Sequence, residues 1–390
     1  MKILHTVESY PPSTGGMQEV VRQISERLAL RGHSVTVATS RMSRRMEQTV
    51  AGVKIEEFAI AGNVVRGLRG ETERYVRFLR ESRSDVMTNF AAQQWATDLA
   101  LPLLDAIDAK KVFVPTGFSG LLRPEYRGYF ENMKGWMKKY DMNVFLSHSY
   151  RDIQFARDHG VEKITVIPNG ASEDEFLEGS PTGFRRRLGI PDDHFLILHV
   201  GSHTSLKGHS EAIEIFRRAR LRKATLLVIG NASGVWCSLS CRCRARLFNA
   251  SPWHSRAGKR ILMASLPRTD TVAAYMAADL FLFPSNVECS PLVLFECMAS
   301  RTPFLSTDVG NAAEIAAWSR SGRILPTRRN ASGDSKADIA SSVKALENLQ
   351  RDEPLRISMA ESGFQAWQER FSWGKITAEY ENLYKNLVGR

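Results

Sequence analysis

The feature that most constrains the fold of this chain is the regular alternation of short apolar runs with segments of helical periodicity. The first run, Lys2–Val7, is followed by a turn and then by Val20, Ile24 and Leu28 at helical spacing, and Gly32 ends that segment. Strands that alternate with helices in this way form mostly parallel sheets, because helices cover both faces of the sheet. The sequence therefore predicts an α/β fold.

The alternation occurs in two cycles, which predicts two Rossmann-like domains in tandem with a cleft between them. The predicted strands are Lys2–Val7, Val35–Ala38, Val53–Ile60, Val112–Val114, Asn143–Leu146 and Ile164–Ile167 in the first cycle, and Phe195–Val200, Thr225–Ile229, Ile261–Ala264, Leu280–Phe283 and Phe304–Ser306 in the second. A stretch at 171–190 with several glycines and prolines separates the cycles. We expect domains over 1–172 and 173–370, followed by a helical segment over 371–390.

The basic character of the chain is concentrated in one segment. The 53 Lys and Arg residues exceed the 42 Asp and Glu residues by 11, and residues 217–260 alone hold eleven basic side chains and no acidic one. Nucleic acid binding is disfavoured, because few aromatic side chains lie among these cations and no recognised nucleic-acid motif is present. Contact with an anionic membrane surface or acceptor remains open, and so does a solvated basic loop.

The N-terminus and the cysteines indicate the compartment. The sequence after Met1 turns polar too early for a signal peptide, and no apolar run reaches the roughly 18–20 residues of a membrane span. The five cysteines do not resemble a secreted disulfide framework. We expect a cytoplasmic protein, either free or peripheral on the inner face of the cell membrane. Cys237, Cys241 and Cys243, with His254 following, could gather around zinc, but their spacing favours free or redox-sensitive thiols.

Two glycine-containing turns follow predicted strands and are candidates for phosphate binding. Gly15 and Gly16 lie between the first strand and the first helix, where a backbone without side chains can approach an anion at the helix N-terminus. Gly201 and Ser202 open a second turn, after the first strand of the second cycle, and Lys207 follows as a cation for a phosphate. A simple tight turn and a solvated lysine are the structural alternatives.

A third segment, after the predicted strand Leu280–Phe283, carries a helix start. Ser290 is a good N-cap and Pro291 suits the first helical position. The N–H groups of Leu292 and Val293 would then be available to hold a diphosphate without a side-chain charge.

Two carboxylates flank this helix start. Glu288 precedes it, and Glu296 lies five residues beyond Pro291, about 7.5 Å along the helix axis. A carboxylate at that position can accept hydrogen bonds from two hydroxyls, as a ribose presents them. The pattern therefore predicts a site for a nucleoside diphosphate, with Glu288 on the opposite side of the diphosphate from Glu296.

In the order and spacing of its motifs the chain resembles the family-4 glycosyltransferases, which are retaining enzymes of the GT-B architecture. The resemblance covers nearly the whole chain. The matching motifs are Tyr10-Pro11-Pro12 with Gly15-Gly16, Arg31–Val37, Ile167-Pro168-Asn169-Gly170 through Phe176, Lys207-Gly208, the E-x7-E element from Glu288 to Glu296, Val309-Gly310 with Glu314, and Phe371-Ser372-Trp373 with Tyr380 and Tyr384. In this architecture the two Rossmann-like domains face each other across a cleft, and the C-terminal helix crosses back to the N-terminal domain.

The resemblance implies transfer of a sugar from a UDP- or GDP-linked donor to an acceptor, with retention of the anomeric configuration and without a metal or other cofactor. It assigns Glu296 to the donor ribose, Glu288 to the sugar and Lys207 to the leaving diphosphate. Gly15 or Gly16 would contact a phosphate from the facing domain.

Two positions depart from the family's pattern. Ser202 stands where the family usually has an arginine, so one positive charge is missing unless His203 or a distant arginine supplies it. Thr116, before Gly117, stands where the family often has a histidine near the sugar, which places these two residues on the acceptor or sugar side.

These observations lead to one expected function and one alternative. We expect a retaining hexosyltransferase that acts on a glycan or lipid-linked acceptor in the synthesis of a cell-surface polysaccharide or glycolipid. The departures at Ser202 and Thr116 also fit a catalytically inactive binding or scaffold protein with the GT-B shape. A sugar phosphorylase is disfavoured, because no lysine stands in a sequence context for pyridoxal phosphate.

Overall fold

The computed structural model describes residues 1–231, 235–330 and 333–389, and the chain divides into two compact units. The first unit comprises residues 1–169 together with the C-terminal stretch that begins at Trp373. The second unit is Gly170–Ser372.

An eight-stranded sheet forms the centre of the first unit. Its order is β10-β9-β8-β7-β1-β2-β4-β3, in which only the pair β3 and β4 is antiparallel, while β5 and β6 form a separate hairpin. These strands are β1 Lys2–Thr6, β2 Ser34–Ser40, β3 Thr49–Val50, β4 Val53–Phe58, β5 Ile60–Asn63, β6 Gly67–Gly70, β7 Val86–Phe90, β8 Lys110–Val114, β9 Met142–Phe145 and β10 Ile164–Val166. The helices between them are α1 Gly16–Leu30, α2 Thr72–Glu81, α3 Trp95–Asp98, α4 Arg127–Lys139 and α5 Arg151–Asp158.

Strand β7 lies in the middle of this sheet, between β1 and β8, although its sequence is not among the predicted strands. Its Thr88 and Asn89 are polar yet fully buried. Asn89 donates a hydrogen bond to Thr6 Oγ1 at 2.6 Å and accepts one from the Tyr140 hydroxyl at 2.8 Å. Because these groups are hydrogen-bonded, their burial costs little, but they interrupt the apolar run by which a buried strand is recognised.

The helix Trp373–Val388 packs on the first unit. Its Tyr384 is buried, and the Tyr384 hydroxyl lies 2.7 Å from Thr88 Oγ1 and 3.2 Å from His5 Nε2. Glu381 of the same helix forms an ion pair with Arg31 at 2.8 Å. The C-terminal helix is therefore bound to β1, to β7 and to the end of α1.

The second unit contains a six-stranded, entirely parallel sheet of order β13-β12-β11-β14-β15-β16 and a separate hairpin of β17 and β18. Its strands are β11 Phe195–Val200, β12 Ala224–Ile229, β13 Lys259–Ala264, β14 Leu280–Phe283, β15 Phe304–Thr307, β16 Gly322–Leu325, β17 Thr327–Arg329 and β18 Ser335–Ala337. Its helices are α6 Glu173–Glu178, α7 Phe184–Arg187, α8 His209–Arg218, α9 Val235–Ala250, α10 Pro252–Arg256, α11 Arg268–Ala277, α12 Leu292–Ala299, α13 Ala312–Ser319, α14 Ile339–Arg351 and α15 Glu353–Ala366.

One mostly parallel sheet and one entirely parallel sheet, each covered by helices, confirm the predicted α/β class with two Rossmann-like domains. Within the described parts of the chain, every helix is too short or too polar to cross a lipid bilayer.

Candidate functional site

Two loops of the second unit meet where the strand order of its sheet reverses. Strand β11 has β12 on one side and β14 on the other, and the later strands extend outward from these two. The connections that follow β11 and β14 therefore diverge and leave a crevice at the carboxyl ends of the strands, which is the usual ligand position in an open α/β sheet. The loop after β11 carries residues 201–208, and the loop after β14 carries residues 284–291.

Hydrogen bonds join these two loops around Lys207. The backbone N–H of Asn286 donates to the Leu206 carbonyl at 2.8 Å. Lys207 Nζ donates to Glu288 Oε1 at 2.6 Å, and the Ser285 hydroxyl donates to the same oxygen at 3.0 Å. The structure thus brings the two predicted catalytic residues into one ion pair, in which the Lys207 side chain is 29% exposed and that of Glu288 12%.

Two glycines leave room here, Gly208 for the close approach of the two loops and Gly201 for the Lys207 side chain. Gly208 has a φ of +73°, and a Cβ built on it would lie 1.9 Å from the Pro284 carbonyl oxygen. A Cβ on Gly201 would lie 3.1 Å from the Cβ of Lys207. A side chain at position 208 would therefore push the two loops apart, and one at position 201 would crowd the lysine.

We expect Gly208→Ala to destabilise the protein by more than its left-handed conformation alone costs. That conformation costs an alanine about 1–2 kcal/mol, and the overlap with the Pro284 carbonyl adds a strain of about 1–3 kcal/mol. Gly189→Ala is the matched control, because Gly189 has a φ of +61° and nothing within 4 Å of its Cβ position. Urea denaturation of both variants measures the difference, and equal losses would contradict a close contact between the loops.

Helix α12, which follows the second loop, begins one residue later than predicted. Pro291 is its N-cap, with φ −70° and ψ 113°, and its own side chain makes no capping hydrogen bond. The prediction that Ser290 is the N-cap and Pro291 the first helical residue is wrong, because the extended ψ of Pro291 delays the first turn. The N–H groups of Leu292 and Val293 still open the helix, and such groups have no acceptor within their own helix.

Glu296, on α12, belongs to a partly buried group of three charges. The Arg268 guanidinium lies 2.6 Å from Glu296 Oε1 and donates to both carboxylate oxygens of Glu175 at 3.0 and 2.6 Å. Burial would lower the pKa of Arg268, but Glu296 and Glu175 together outweigh burial and raise that pKa above its ordinary value. A carboxylate offers about four lone-pair positions, so Glu296 can still accept hydrogen bonds from hydroxyl groups.

Arg268 and Glu175 are absent from the residues identified from the sequence. Arg268 could have been found, because it opens the helix after β13 and so lies near the carboxyl edge of the sheet. Glu175 lies 93 positions earlier, on α6, and its sequence neighbourhood contains nothing that links it to the donor helix.

His203 does not supply the positive charge that Ser202 lacks. Its ring is buried and stacks on His209 at a centroid distance of 4.2 Å, and its Nδ1 lies 3.6 Å from Cys237 Sγ. Burial and the nearby Arg242 lower the pKa of His203, so its imidazole is neutral at pH 7. The arginine that does contact a predicted donor residue is Arg268, through Glu296.

In the first unit, Gly15 and Gly16 lie at a helix N-terminus, as expected. Gly15 is the N-cap of α1, and Gly16 is its first residue. They follow β1, which has β2 on one side and β7 on the other, so this loop also leaves its sheet where the strand order reverses. A Cβ on Gly15 would meet only the flexible end of Gln18, at 2.5 Å.

Thr116 and Gly117 lie in a strained loop after β8. Thr116, Gly117 and the next residue, Phe118, all have positive φ, at +57°, +98° and +41°. The Gly117 N–H donates to Asp152 Oδ2 at 2.8 Å, and burial raises the pKa of Asp152 to about 6. A non-glycine residue in such a conformation costs about 1–3 kcal/mol and is frequent at functional sites.

The structure divides the basic segment into structural and exposed cations. Arg217 and Arg218 pair with Glu214, and Lys259 is buried, where its ammonium donates to the carbonyls of residues 216 and 219. Lys223 pairs with Asp193 at 2.7 Å. Six arginines are exposed and form no ion pair within the described residues: Arg220, Arg222, Arg242, Arg244, Arg246 and Arg256. Part of the positive charge of the basic segment is therefore paired with carboxylates or backbone carbonyls of the same unit.

The cysteines of this segment also separate. Cys237 and Cys241 lie one turn apart on α9 and face His203, while Cys243 is exposed. His254 stacks on Phe248 at a centroid distance of 3.9 Å and is not part of the group.

Two family models match this chain. Glycosyltransferase Family 4 matches residues 14–175, and Glycosyl transferases group 1 matches residues 182–365. The first match contains Gly15 and Gly16 at the start of α1 and the whole loop after β8. The second contains both loops at the β11–β14 crevice and all of α12.

The D-inositol 3-phosphate glycosyltransferase of Corynebacterium aurimucosum is 30% identical over 253 residues, which cover 61% of this chain and 55% of that protein. The chain thus spans about half the length of the curated relatives of this kind.

Two solved structures share the fold. Sucrose-phosphate synthase from Thermosynechococcus elongatus has a TM-score of 0.79 at 16% identity, and the match covers 100% of this chain and 99% of that one. Anabaena HepE in complex with UDP and glucose has a TM-score of 0.73 at 15% identity, with 99% and 100% covered. The fold is that of the GT-B glycosyltransferases.

Proposed function

The chain belongs to the family-4, group 1 glycosyltransferases, and we propose that it transfers a sugar from a nucleoside-diphosphate sugar to an acceptor hydroxyl with retention of configuration. The observation that carries the proposal is the crevice at the ends of β11 and β14. There the Lys207–Glu288 pair and the open N-terminus of α12 follow two adjacent strands. A cation together with the N–H groups of a helix N-terminus suits a diphosphate whose negative charge grows as it leaves.

Each residue has a role in this proposal. The Lys207 ammonium and the N–H groups of Leu292 and Val293 stabilise the departing diphosphate, and Glu296 accepts hydrogen bonds from the ribose hydroxyls. Glu288 holds the sugar. The bond between the sugar's anomeric carbon and the phosphate oxygen breaks, a bond to the acceptor oxygen forms, and the acceptor's proton passes to the diphosphate. No metal ion takes part in this chemistry.

Residues of the first unit are proposed to contact other parts of the substrates, namely a phosphate oxygen and the acceptor or sugar. The N-terminus of α1, at Gly15 and Gly16, suits a phosphate oxygen. The strained loop at Thr116 and Gly117 is proposed to lie on the acceptor or sugar side. We propose a glycan or lipid-linked acceptor, in the synthesis of a cell-surface polysaccharide or glycolipid.

A phosphorylated cyclitol is the second candidate acceptor. The observation that favours it is the similarity of this chain to the D-inositol 3-phosphate glycosyltransferase of Corynebacterium aurimucosum. For the donor, HepE, with the same fold, has been solved with UDP and glucose, which supports UDP-hexoses as the first donors to test and GDP-hexoses as the next.

The test incubates the full chain with UDP-, GDP- and ADP-linked hexoses, with and without inositol 3-phosphate or a lipid-linked acceptor. Release of the free nucleoside diphosphate and the anomeric configuration of the product are measured. One donor should release its diphosphate faster when an acceptor is present, and the product should keep the donor's configuration. Tight binding of a nucleotide sugar without release would instead support the non-catalytic alternative.

The exposed surface of α9 and α10 supports a further part of the proposal, contact with an anionic membrane. Trp236, Leu247 and Trp253 are 86%, 74% and 79% exposed, and arginines of the basic segment lie between them in sequence. A neighbouring groove of about 980 Å³ is lined by basic residues that include Arg222 and Arg256. Exposed tryptophans beside cations suit the headgroup region of a bilayer.

We expect the chain to sediment with vesicles that contain phosphatidylglycerol but not with vesicles of phosphatidylcholine alone. The double variant Arg242→Glu/Arg244→Glu should lower the partition coefficient onto these vesicles about tenfold or more, because each cation near an anionic surface contributes about 1 kcal/mol. Arg77→Glu/Arg80→Glu, on the exposed face of α2, changes the net charge equally and should leave binding unchanged. Equal loss of vesicle binding in both double variants would show that net charge, and not the position of the arginines, determines binding. Absence of binding by the parent would contradict membrane contact.

A further inference from the structure

A cluster of soft ligands joins the loop after β11 to helix α9. His203 Nδ1 lies 3.6 Å from Cys237 Sγ, and the ligand atoms of His203, Cys237 and Cys241 all lie within 4.8 Å of one another. Helix α9 presents the two cysteines on one face, because they are four residues apart. His203 and Cys241 are 3% and 1% exposed, while Cys237 is half-buried.

We propose that His203, Cys237 and Cys241 bind one zinc ion, with a water molecule in the fourth position. Tetrahedral zinc with bonds of about 2.3 Å to sulfur and about 2.0 Å to nitrogen separates a thiolate from an imidazole nitrogen by about 3.5 Å. The observed separation of 3.6 Å between Cys237 Sγ and His203 Nδ1 fits this geometry. The cysteine pair repeats the i, i+4 spacing by which two side chains of one helix bind zinc.

The chemistry of the three groups suits zinc better than a hard cation. Two thiolates and one imidazole are soft or borderline ligands, whereas magnesium and calcium prefer oxygen. The two thiolates balance the charge of Zn²⁺, and each thiol releases its proton to solvent on binding. The half-buried position of Cys237 leaves a side through which the ion and its water can enter.

A bound ion would connect the loop after β11 to the helix after β12. His203 belongs to the same loop as Lys207, residues 201–208, and its ring stacks on His209 at the start of α8. His209 Nε2 in turn lies 3.1 Å from the carbonyl oxygen of Gly201. Zinc would therefore act as a structural link that limits the motion of residues 201–208, without taking part in sugar transfer.

The experiment titrates Co²⁺, then Zn²⁺, into reduced, metal-free full-length protein. We expect one equivalent of Co²⁺ to produce a sulfur-to-cobalt charge-transfer band and intense visible bands of tetrahedral cobalt, and Zn²⁺ to displace it. Cys241→Ser and His203→Ala should weaken metal binding by more than about 100-fold, because even outer-shell partners cost about 10–100-fold. Cys237→Ser, at the half-buried position, gives an independent test if the buried variants do not fold.

Cys243→Ser is the matched control, because Cys243 lies two residues further along the same helix and is exposed. It should bind cobalt like the parent. Amide hydrogen exchange in residues 201–208 should become slower with zinc in the parent and not in Cys241→Ser, a readout that does not depend on transferase activity. Absence of the sulfur-to-cobalt band, equal loss in Cys243→Ser, or a Cys237–Cys241 disulfide in place of metal uptake would each overturn the proposal.

Discussion

Glu296→Gln is expected to weaken the binding of a nucleoside diphosphate by about 10–100-fold, because hydrogen bonds to a charged acceptor contribute about 1.5–3 kcal/mol. The substitution keeps the size of the side chain but removes the charge that two ribose hydroxyls would meet. It also removes one of the two carboxylates of Arg268, which keeps its contacts with Glu175. Calorimetric titration with UDP and GDP measures the affinity.

Glu175→Gln separates the role of the carboxylate from that of the arginine. Glu175 contacts Arg268 through both oxygens but lies on α6, outside the loops after β11 and β14. We expect this variant to bind nucleoside diphosphates nearly as tightly as the parent. Equal weakening in the two variants would show that the position of Arg268, and not the Glu296 carboxylate, determines affinity.

The nucleotide 2′-deoxy-UDP gives a second control on the contact between the Glu296 carboxylate and the ribose. The parent should bind 2′-deoxy-UDP more weakly than UDP, because one partner of the carboxylate is then missing. In Glu296→Gln the difference between the two ligands should shrink, since a double-mutant cycle reports the coupling between the groups that interact. An undiminished difference in the variant would contradict contact between Glu296 and the ribose.

The meeting of Lys207 with Glu288 could be predicted from the sequence, because both residues follow apolar runs that form strands. In a parallel sheet such loops emerge at one edge, so local patterns suffice to bring residues 81 positions apart into contact. The predicted start of α12 was one residue too early. Serine and proline each suit two adjacent positions at a helix N-terminus, and only the backbone conformation distinguishes these positions.

The meeting of Glu175 with Arg268 and Glu296 could not be predicted, because the three residues lie on three different helices with no common periodicity. Strand β7 was missed for a different reason. Its Asn89 and Thr88 are stabilised by partners distant in the chain, Tyr140 and Tyr384, and these partners have no local signature. The basic segment shows the same limit, since its sequence does not reveal that Lys259 is buried against backbone carbonyls.

Lys207→Met is expected to lower kcat for sugar transfer by about 10²–10³-fold, the loss typical when one group that stabilises developing negative charge is removed. Methionine keeps the length and the apolar stem of the side chain without its charge. Steady-state release of the nucleoside diphosphate, measured with the donor found active, checks the loss. Lys223→Met is the matched control, because Lys223 pairs with Asp193 at 2.7 Å on the surface and should have no effect on kcat.

Glu288→Gln, which changes the other member of the Lys207–Glu288 ion pair, should affect sugar transfer but not weaken UDP binding. Lys207 donates to Glu288 at 2.6 Å, so an arriving diphosphate has to share this ammonium with the carboxylate. Removing the negative charge of Glu288 therefore leaves the affinity for UDP unchanged or higher, because the carboxylate no longer repels the diphosphate, while transfer falls because the sugar loses its contact. Lys207→Met lowers both quantities. If Glu288→Gln also weakened UDP binding, the carboxylate would serve to position Lys207 for the diphosphate. If transfer were unchanged in Glu288→Gln, the proposed contact of Glu288 with the sugar would be wrong.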